Sequence, residues 1–176
     1  DENIIDENDT LTTGLKPFNV FARFASDAMP NPVDQSLLGD FVDMFMVCHN
    51  LPENDLKWND PDFYGASMAG PDDYGPGHVF ITTRDLSFKR FNILPIVLEN
   101  DAWFVSRLLL AAINYTANRG WTDVGFYFHC YPANSVQSLH LHVVNKETAG
   151  PTLKKQMHKN LDIYDVLDAM DAHHLF

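Results

Sequence analysis

His140 and His142 are separated by a single residue in Ser138-Leu-His-Leu-His-Val-Val144. On a β-strand, whose side chains alternate with a period of two, both imidazoles project from one face, with the Ser138 hydroxyl beside them. Two neighbouring imidazoles suit two kinds of chemistry. One ring can act as a nucleophile while the other donates a proton, because histidine titrates near neutral pH. Alternatively, both can ligate a single metal ion. His-x-His alone is a short motif, so the elements that carry it decide between these tasks.

The surrounding pattern supplies a strand pair. From Trp121 to Tyr131, Val124, Phe126, Phe128 and Cys130 alternate with Tyr127, His129 and Tyr131. The loop Pro132-Ala-Asn-Ser135 leads into a second strand, with Leu139, Leu141 and Val143 opposite Ser138, His140 and His142. Upstream, His78-Val-Phe-Ile-Thr-Thr83 reads as a buried strand after Gly75-Pro-Gly77, and a short strand is expected around Phe63–Met68. Asn100 or Asp101 caps a helix whose apolar stripe runs through Phe104, Leu108, Ala111, Ala112 and Tyr115 to a stop at Gly120. Leu37, Leu38, Phe41, Phe45 and Cys48 predict a helix over Asp34–His49, and Asp162 with Asp165 starts a C-terminal helix through Val166, Leu167 and Met170. The class is α+β: an antiparallel sheet with packed helices. Residues 1–13 read as a disordered acidic arm and 14–176 as one domain.

Composition narrows the partners. Acidic residues outnumber basic ones 24 to 12, for a formal net charge of −12. Duplex nucleic acid and anionic membrane surfaces meet a repulsive long-range field, whereas a small phosphate compound can still be held by a few local donors. No stretch has the apolar length of a bilayer span, so integral membrane association is not expected. Phe occurs 13 times, ample for a core. Cys48 and Cys130 allow one disulfide or two buried thiols. Asn8-Asp-Thr and Asn114-Tyr-Thr fit the N-glycosylation pattern, which matters for a secreted chain.

The longer segment Gly125-Phe-Tyr-Phe-His-Cys-Tyr-Pro-Ala-Asn-Ser-Val-Gln-Ser-Leu-His-Leu-His-Val-Val144 resembles the signature strand pair of histidine-triad proteins, especially the aprataxin-like and HINT-type branches. His140 falls on that family's central histidine and His142 on the third; Phe128-His129, Pro132 and Ser135 match the approach. Gly75-Pro-Gly-His-Val-Phe-Ile81 is similar to the family's Gly-His-apolar strand. The first triad position is Ser138 rather than His, and Thr82-Thr-Arg-Asp-Leu86 stands where many members carry Pro, basic residues and another histidine.

The resemblance implies nucleotide-phosphate hydrolysis or nucleotidyl transfer through a covalent nucleotidyl-histidine. His140 attacks an α-phosphorus, and His142 protonates the departing oxygen. Ser138 shares their face, while Ser135, Asn134, His129 and His78 line the substrate site. No cofactor and no metal is implied. The partner is a small nucleotide-like substrate, with room for a homodimer or an assembly partner. Two other classes stay open. The altered triad also suits a catalytically silent binding or assembly subunit. His140-x-His142 followed by Glu147 copies the core spacing of a cupin-like metal site, without that motif's flanking glycines and with a helical tail where further strands are required.

Overall fold

The computed structural model describes residues 19–28, 30–31, 33–49, 77–129, 136, 138–148 and 159–172. Within them, α1 (Asn19–Ala25) and a 3-10 segment (Gln35–Phe41) precede β1 (Phe45–His49) and β2 (His78–Thr83). Then come α2 (Leu94–Arg119), β3 (Val124–His129), β4 (His140–Asn145), β5 (Asn160–Asp162) and α3 (Ile163–Ala172). The strands form one sheet in the order β1-β2-β4-β3-β5, and every neighbouring pair is antiparallel. The protein is therefore α+β, as its patterning predicts.

The alternation along β3 and β4 decides what lies on each face. Phe126, Phe128, Leu139, Leu141 and Val143 join Val79 and Ile81 in the main core, against Phe104, Leu108, Ala111, Ala112 and Tyr115 of α2 and Ile163, Val166 and Met170 of α3. Each fully buried aliphatic side chain there contributes about 1.5–3 kcal/mol. The opposite face carries a smaller cluster, in which Phe21 and Ala22 of α1 meet Met46, Cys48 and Phe91, with Phe80, Leu86 and Val136 packed alongside. The histidines belong to this second face. Cys48 is buried with a free thiol, pushed up to about 12 by loss of solvent; Cys130 lies outside the described residues.

Two helix termini, the end of α2 and the start of α3, follow their predicted signals. Gly120 takes a left-handed conformation (φ 73°), with its N–H on the Ala117 carbonyl and that of Trp121 on Thr116, closing the last turn. Asp162 Oδ1 accepts from the Tyr164 amide at 2.8 Å and opens α3. The α2 segment begins earlier than predicted, at Leu94, where Pro95 suits a first turn because its φ is already helical. It is interrupted at Asp101 (φ −155°, ψ 68°), one of the two residues expected to cap its start, and Arg90 holds that carboxylate at 2.8 Å.

The helix expected over Asp34–His49 does not form; a 3-10 segment and strand β1 replace it. Gly39 adopts φ 58°, ψ −126°, a conformation open to glycine, and a Cβ there would lie 2.5 Å from Asn114 Nδ2. Beyond it, Phe45 and Val47 point into the main core while Met46 and Cys48 point into the second. A strand buried on both faces loses its polar alternation, so its apolar run imitates a helical stripe. The outer edge of β1 is covered by Gln35, whose side chain accepts from the Val47 amide and donates to its carbonyl (2.8 and 2.9 Å).

Asn114 lies within α2 and donates to the Leu38 carbonyl at 3.0 Å, so its glycosylation pattern is occupied by packing. The expected acidic arm (1–13), the strand around 63–68 and the Asn8 pattern lie outside the described residues. Among the described residues, no helix is long and apolar enough to cross a membrane.

Candidate active site

β2, β3 and β4 bring four histidines to one face of the sheet. The register sets Thr82 opposite His140, Phe80 opposite His142, and Tyr127 opposite His142 from the other side. His78 lies two residues before Phe80 on that face, and His129 two residues after Tyr127. The rings touch. His129 stacks on His142 with centroids 3.9 Å apart, and His140 and His78 lie 5.1 and 5.2 Å from His142. Phe80 stands edge-on to His78, His140 and His142 at 5.0, 5.6 and 4.8 Å, while Phe21 reaches His140 from α1 at 5.8 Å.

Hydrogen bonding orients the central ring. His140 Nδ1 is 2.8 Å from the Ser138 carbonyl oxygen. A carbonyl can only accept, so Nδ1 carries the proton and Nε2 carries the lone pair. Thr82 Oγ1 donates to the Leu139 carbonyl, fixing the peptide that leads into His140. His78 Nε2 and His142 Nδ1 share a hydrogen bond at 3.0 Å. His142 Nε2 is buried and has no hydrogen-bond partner among the described residues.

The imidazoles are held neutral. Loss of solvent drives His78 down to about 3 and His140 to about 4, and it pushes His142 well below the ordinary range. Mutual repulsion adds to this effect. His129 is half-buried and lowered by desolvation first, then by the charge of Lys159. A neutral His140 keeps its Nε2 lone pair at physiological pH, the protonation state a nucleophile needs.

Of the predicted site residues, the structure gathers His78, His129, His140 and His142. Ser138 sits just before β4, 2% exposed, with its carbonyl serving His140. Asn134 and Ser135 lie outside the described residues. Glu147, the carboxylate of the cupin-like alternative, is on an exposed 3-10 segment and accepts from Thr122 Oγ1 at 3.1 Å. Among the described residues, no group of three or more His, Cys, Asp or Glu side chains is arranged to hold a metal ion. Sequence reasoning missed Phe80, Thr82 and Phe21. The first two were within reach of the period-two rule applied to His78; nothing in the sequence announces Phe21. No protein-family model, curated protein or solved structure matches this chain.

Proposed function

We propose that the chain is a histidine-triad-like nucleotide-phosphate hydrolase or nucleotidyltransferase that works through a nucleotidyl-His140 intermediate. The observation that carries this reading is the His140–Ser138 hydrogen bond, which leaves a neutral imidazole with its lone pair on Nε2. Nε2 attacks the α-phosphorus, forming a P–N bond as the P–O bond to the leaving group breaks. The Ser138 carbonyl stabilises the positive charge that reaches Nδ1–H.

His142 is neutral in the free site, and a phosphate arriving beside it raises its proton affinity. Protonated on both ring nitrogens by a proton taken up with the substrate, it passes the Nε2 proton to the departing oxygen and keeps the one on Nδ1. In the second half, water forms a new P–O bond and the P–N electron pair returns to His140 Nε2. The proton lost by water restores His142. An acceptor hydroxyl in place of water makes the same sequence a nucleotidyl transfer.

A second reading is favoured by the burial of the pair. His140 and His142 are each 9% exposed, with Phe21 lying across His140, which suits a binding or assembly subunit without turnover. One experiment separates the two. The protein is mixed with a nucleoside phosphoramidate and with a dinucleoside polyphosphate, quenched, and mapped by mass spectrometry. A nucleotidyl group on His140, lost together with turnover in His140→Asn, is the result expected of the enzyme. Turnover that survives in His140→Asn, or the lack of any adduct and any turnover, rejects it.

A further inference from the structure

A nucleophile has to be reached: attack brings the two reacting atoms to about 3–3.5 Å before the bond forms. His140 is 9% exposed, and the Phe21 ring of α1 lies 5.8 Å from it, centroid to centroid. Rings at that separation are in direct contact, so no phosphoryl group fits between them. Phe21 also meets Phe80 at 6.1 Å, the ring that stands edge-on to His140 and His142. The aromatic contact over His140 therefore comes from one short helix.

That helix is separable from the rest of the fold. Phe21 and Ala22 are 3% and 2% exposed and cluster with Met46, Cys48 and Phe91, whereas no α1 residue belongs to the main core. Seven residues are too few for a helix to persist alone in water, so docking on the second cluster keeps α1 formed. At its end the chain turns: among the described residues Asp27 is the one non-glycine with positive φ, at 58°. The Ala28 amide closes on the Arg23 carbonyl at 2.8 Å. Asn31 then fastens the chain to β1, its Nδ2 donating to the Val47 carbonyl at 2.8 Å. α1 can thus leave the sheet about this turn while β1 and the main core stay in place.

We infer that α1 is an autoinhibitory cover: Phe21 closes His140 and must withdraw, pivoting at the Asp27 turn, before a phosphoryl group can enter. What the cover regulates rests on the nucleotide reading proposed above; the cover itself does not require turnover. Substrate binds the open form alone, so its apparent affinity falls as the closed fraction grows. Phe21 packs on the imidazole in the closed form and takes no part in bond making.

Diethyl pyrocarbonate acylates an imidazole nitrogen that carries a lone pair, so its rate at His140 reads how often Nε2 is uncovered. The whole protein is labelled at neutral pH and mapped by mass spectrometry. His140 should react more slowly than a free histidine peptide, by about tenfold or more. Phe21→Ala should raise the His140 rate by about fivefold or more, as loss of one apolar contact shifts an opening equilibrium. His129, half-buried on β3, should change little and serves as the internal reference. Leu108→Ala, in the main core, should lower thermal stability yet leave the His140 rate unchanged, because opening of α1 leaves that core intact. Phe21→Leu keeps most of the apolar volume and should give a smaller rise; it carries the test if Phe21→Ala does not fold.

A His140 rate in the unaltered protein equal to that of the free peptide overturns the inference, as does an unchanged rate in the Phe21 variants. An equal rise at His129, or a Leu108→Ala rate as high as that of Phe21→Ala, also overturns it, because His140 would then be uncovered by general loosening of the fold. The two proposals fail separately. Phe21-dependent labelling without a nucleotidyl-His140 adduct rejects the enzyme and keeps the cover. Turnover in a protein whose His140 rate does not depend on Phe21 rejects the cover and keeps the enzyme.

Discussion

His78 Nε2 and His142 Nδ1 lie 3.0 Å apart across β2 and β4, so one of two neutral imidazoles must donate to the other. If His78 donates, His142 keeps its proton on the buried Nε2, where it is available to a ligand oxygen. If His142 donates, its Nε2 bears a lone pair instead. His78 thus governs which chemical face His142 presents, although it stands one strand further from His140. Replacing His78 by Phe removes this control. The substitution should cost about 1–3 kcal/mol, the usual penalty for stranding a buried polar partner. Chemical denaturation measures the loss, and a change within about ±0.5 kcal/mol, the level of an ordinary surface substitution, contradicts it.

The His140 tautomer is directly observable. Long-range 1H–15N correlation at neutral pH should show protonated Nδ1 and unprotonated Nε2 for His140, because the Ser138 carbonyl accepts from Nδ1. The opposite tautomer would place a proton where the lone pair is needed and remove the basis for nucleophilic attack.

Acid should destabilise the fold earlier than carboxylate protonation alone requires. Burial lowers His78 to about 3 and His140 to about 4, with His142 and His129 also below the ordinary value of 6.5. Below that ordinary value the unfolded chain binds protons that the folded chain refuses. Stability is therefore complete above about pH 6.5 and falls continuously as pH drops towards the folded values. Between pH 6.5 and about 5, ordinary carboxylates have barely begun to titrate, so the early fall belongs to histidine. The thermal midpoint should decline across that interval, and less steeply in His78→Phe. A flat midpoint from pH 7 to 5 would show that the imidazoles are solvated.

Much of this site was legible before the fold was known. Period-two alternation put His140 and His142 on one face, and applied to Tyr127–Tyr131 it put His129 on the face now seen to stack on His142. The Gly120 stop and the Asp162 cap are local signals, set by backbone conformation and one side chain, and both hold. What failed was β1. The identity of β1 depends on partners 30 or more residues away, with Phe45 paired to Thr83 and both faces covered by separate clusters. No local pattern encodes that pairing. Phe21 was illegible for the same reason: its role comes from α1 docking onto His140 and Phe80, a tertiary contact with no spacing rule.

Two glycines should differ in their tolerance of alanine. Gly120 has φ 73° with open space where a Cβ would project, so its substitution costs the left-handed backbone alone, about 1–2 kcal/mol. Gly39 has φ 58° with ψ −126°, and its Cβ would also meet Asn114 Nδ2 at 2.5 Å. That contact would disturb the Asn114 hydrogen bond to Leu38 as well. Gly39→Ala should therefore be the more destabilising of the two by denaturant unfolding. An equal or smaller loss would mean that the turn before β1 relaxes freely.

Ser138 is where the chain departs most from the triad it resembles, and its surroundings make a specific demand on any repair. The residue is 2% exposed, and its carbonyl orients His140. A histidine there must fit an imidazole into space occupied by a hydroxymethyl group, and enlarging a packed position typically costs about 1–3 kcal/mol. The displaced backbone is the one that holds the His140 proton on Nδ1, so the strain falls on the proposed nucleophile. Ser138→His should lower thermal stability and, if the parent turns over nucleotides, reduce kcat more than it changes KM. Both quantities can be measured on the same preparation, with the His140 tautomer as an internal check. A variant that is as stable as its parent and faster would show that the site has kept room for a third imidazole, and that Ser138 is a loss the fold has not adapted to.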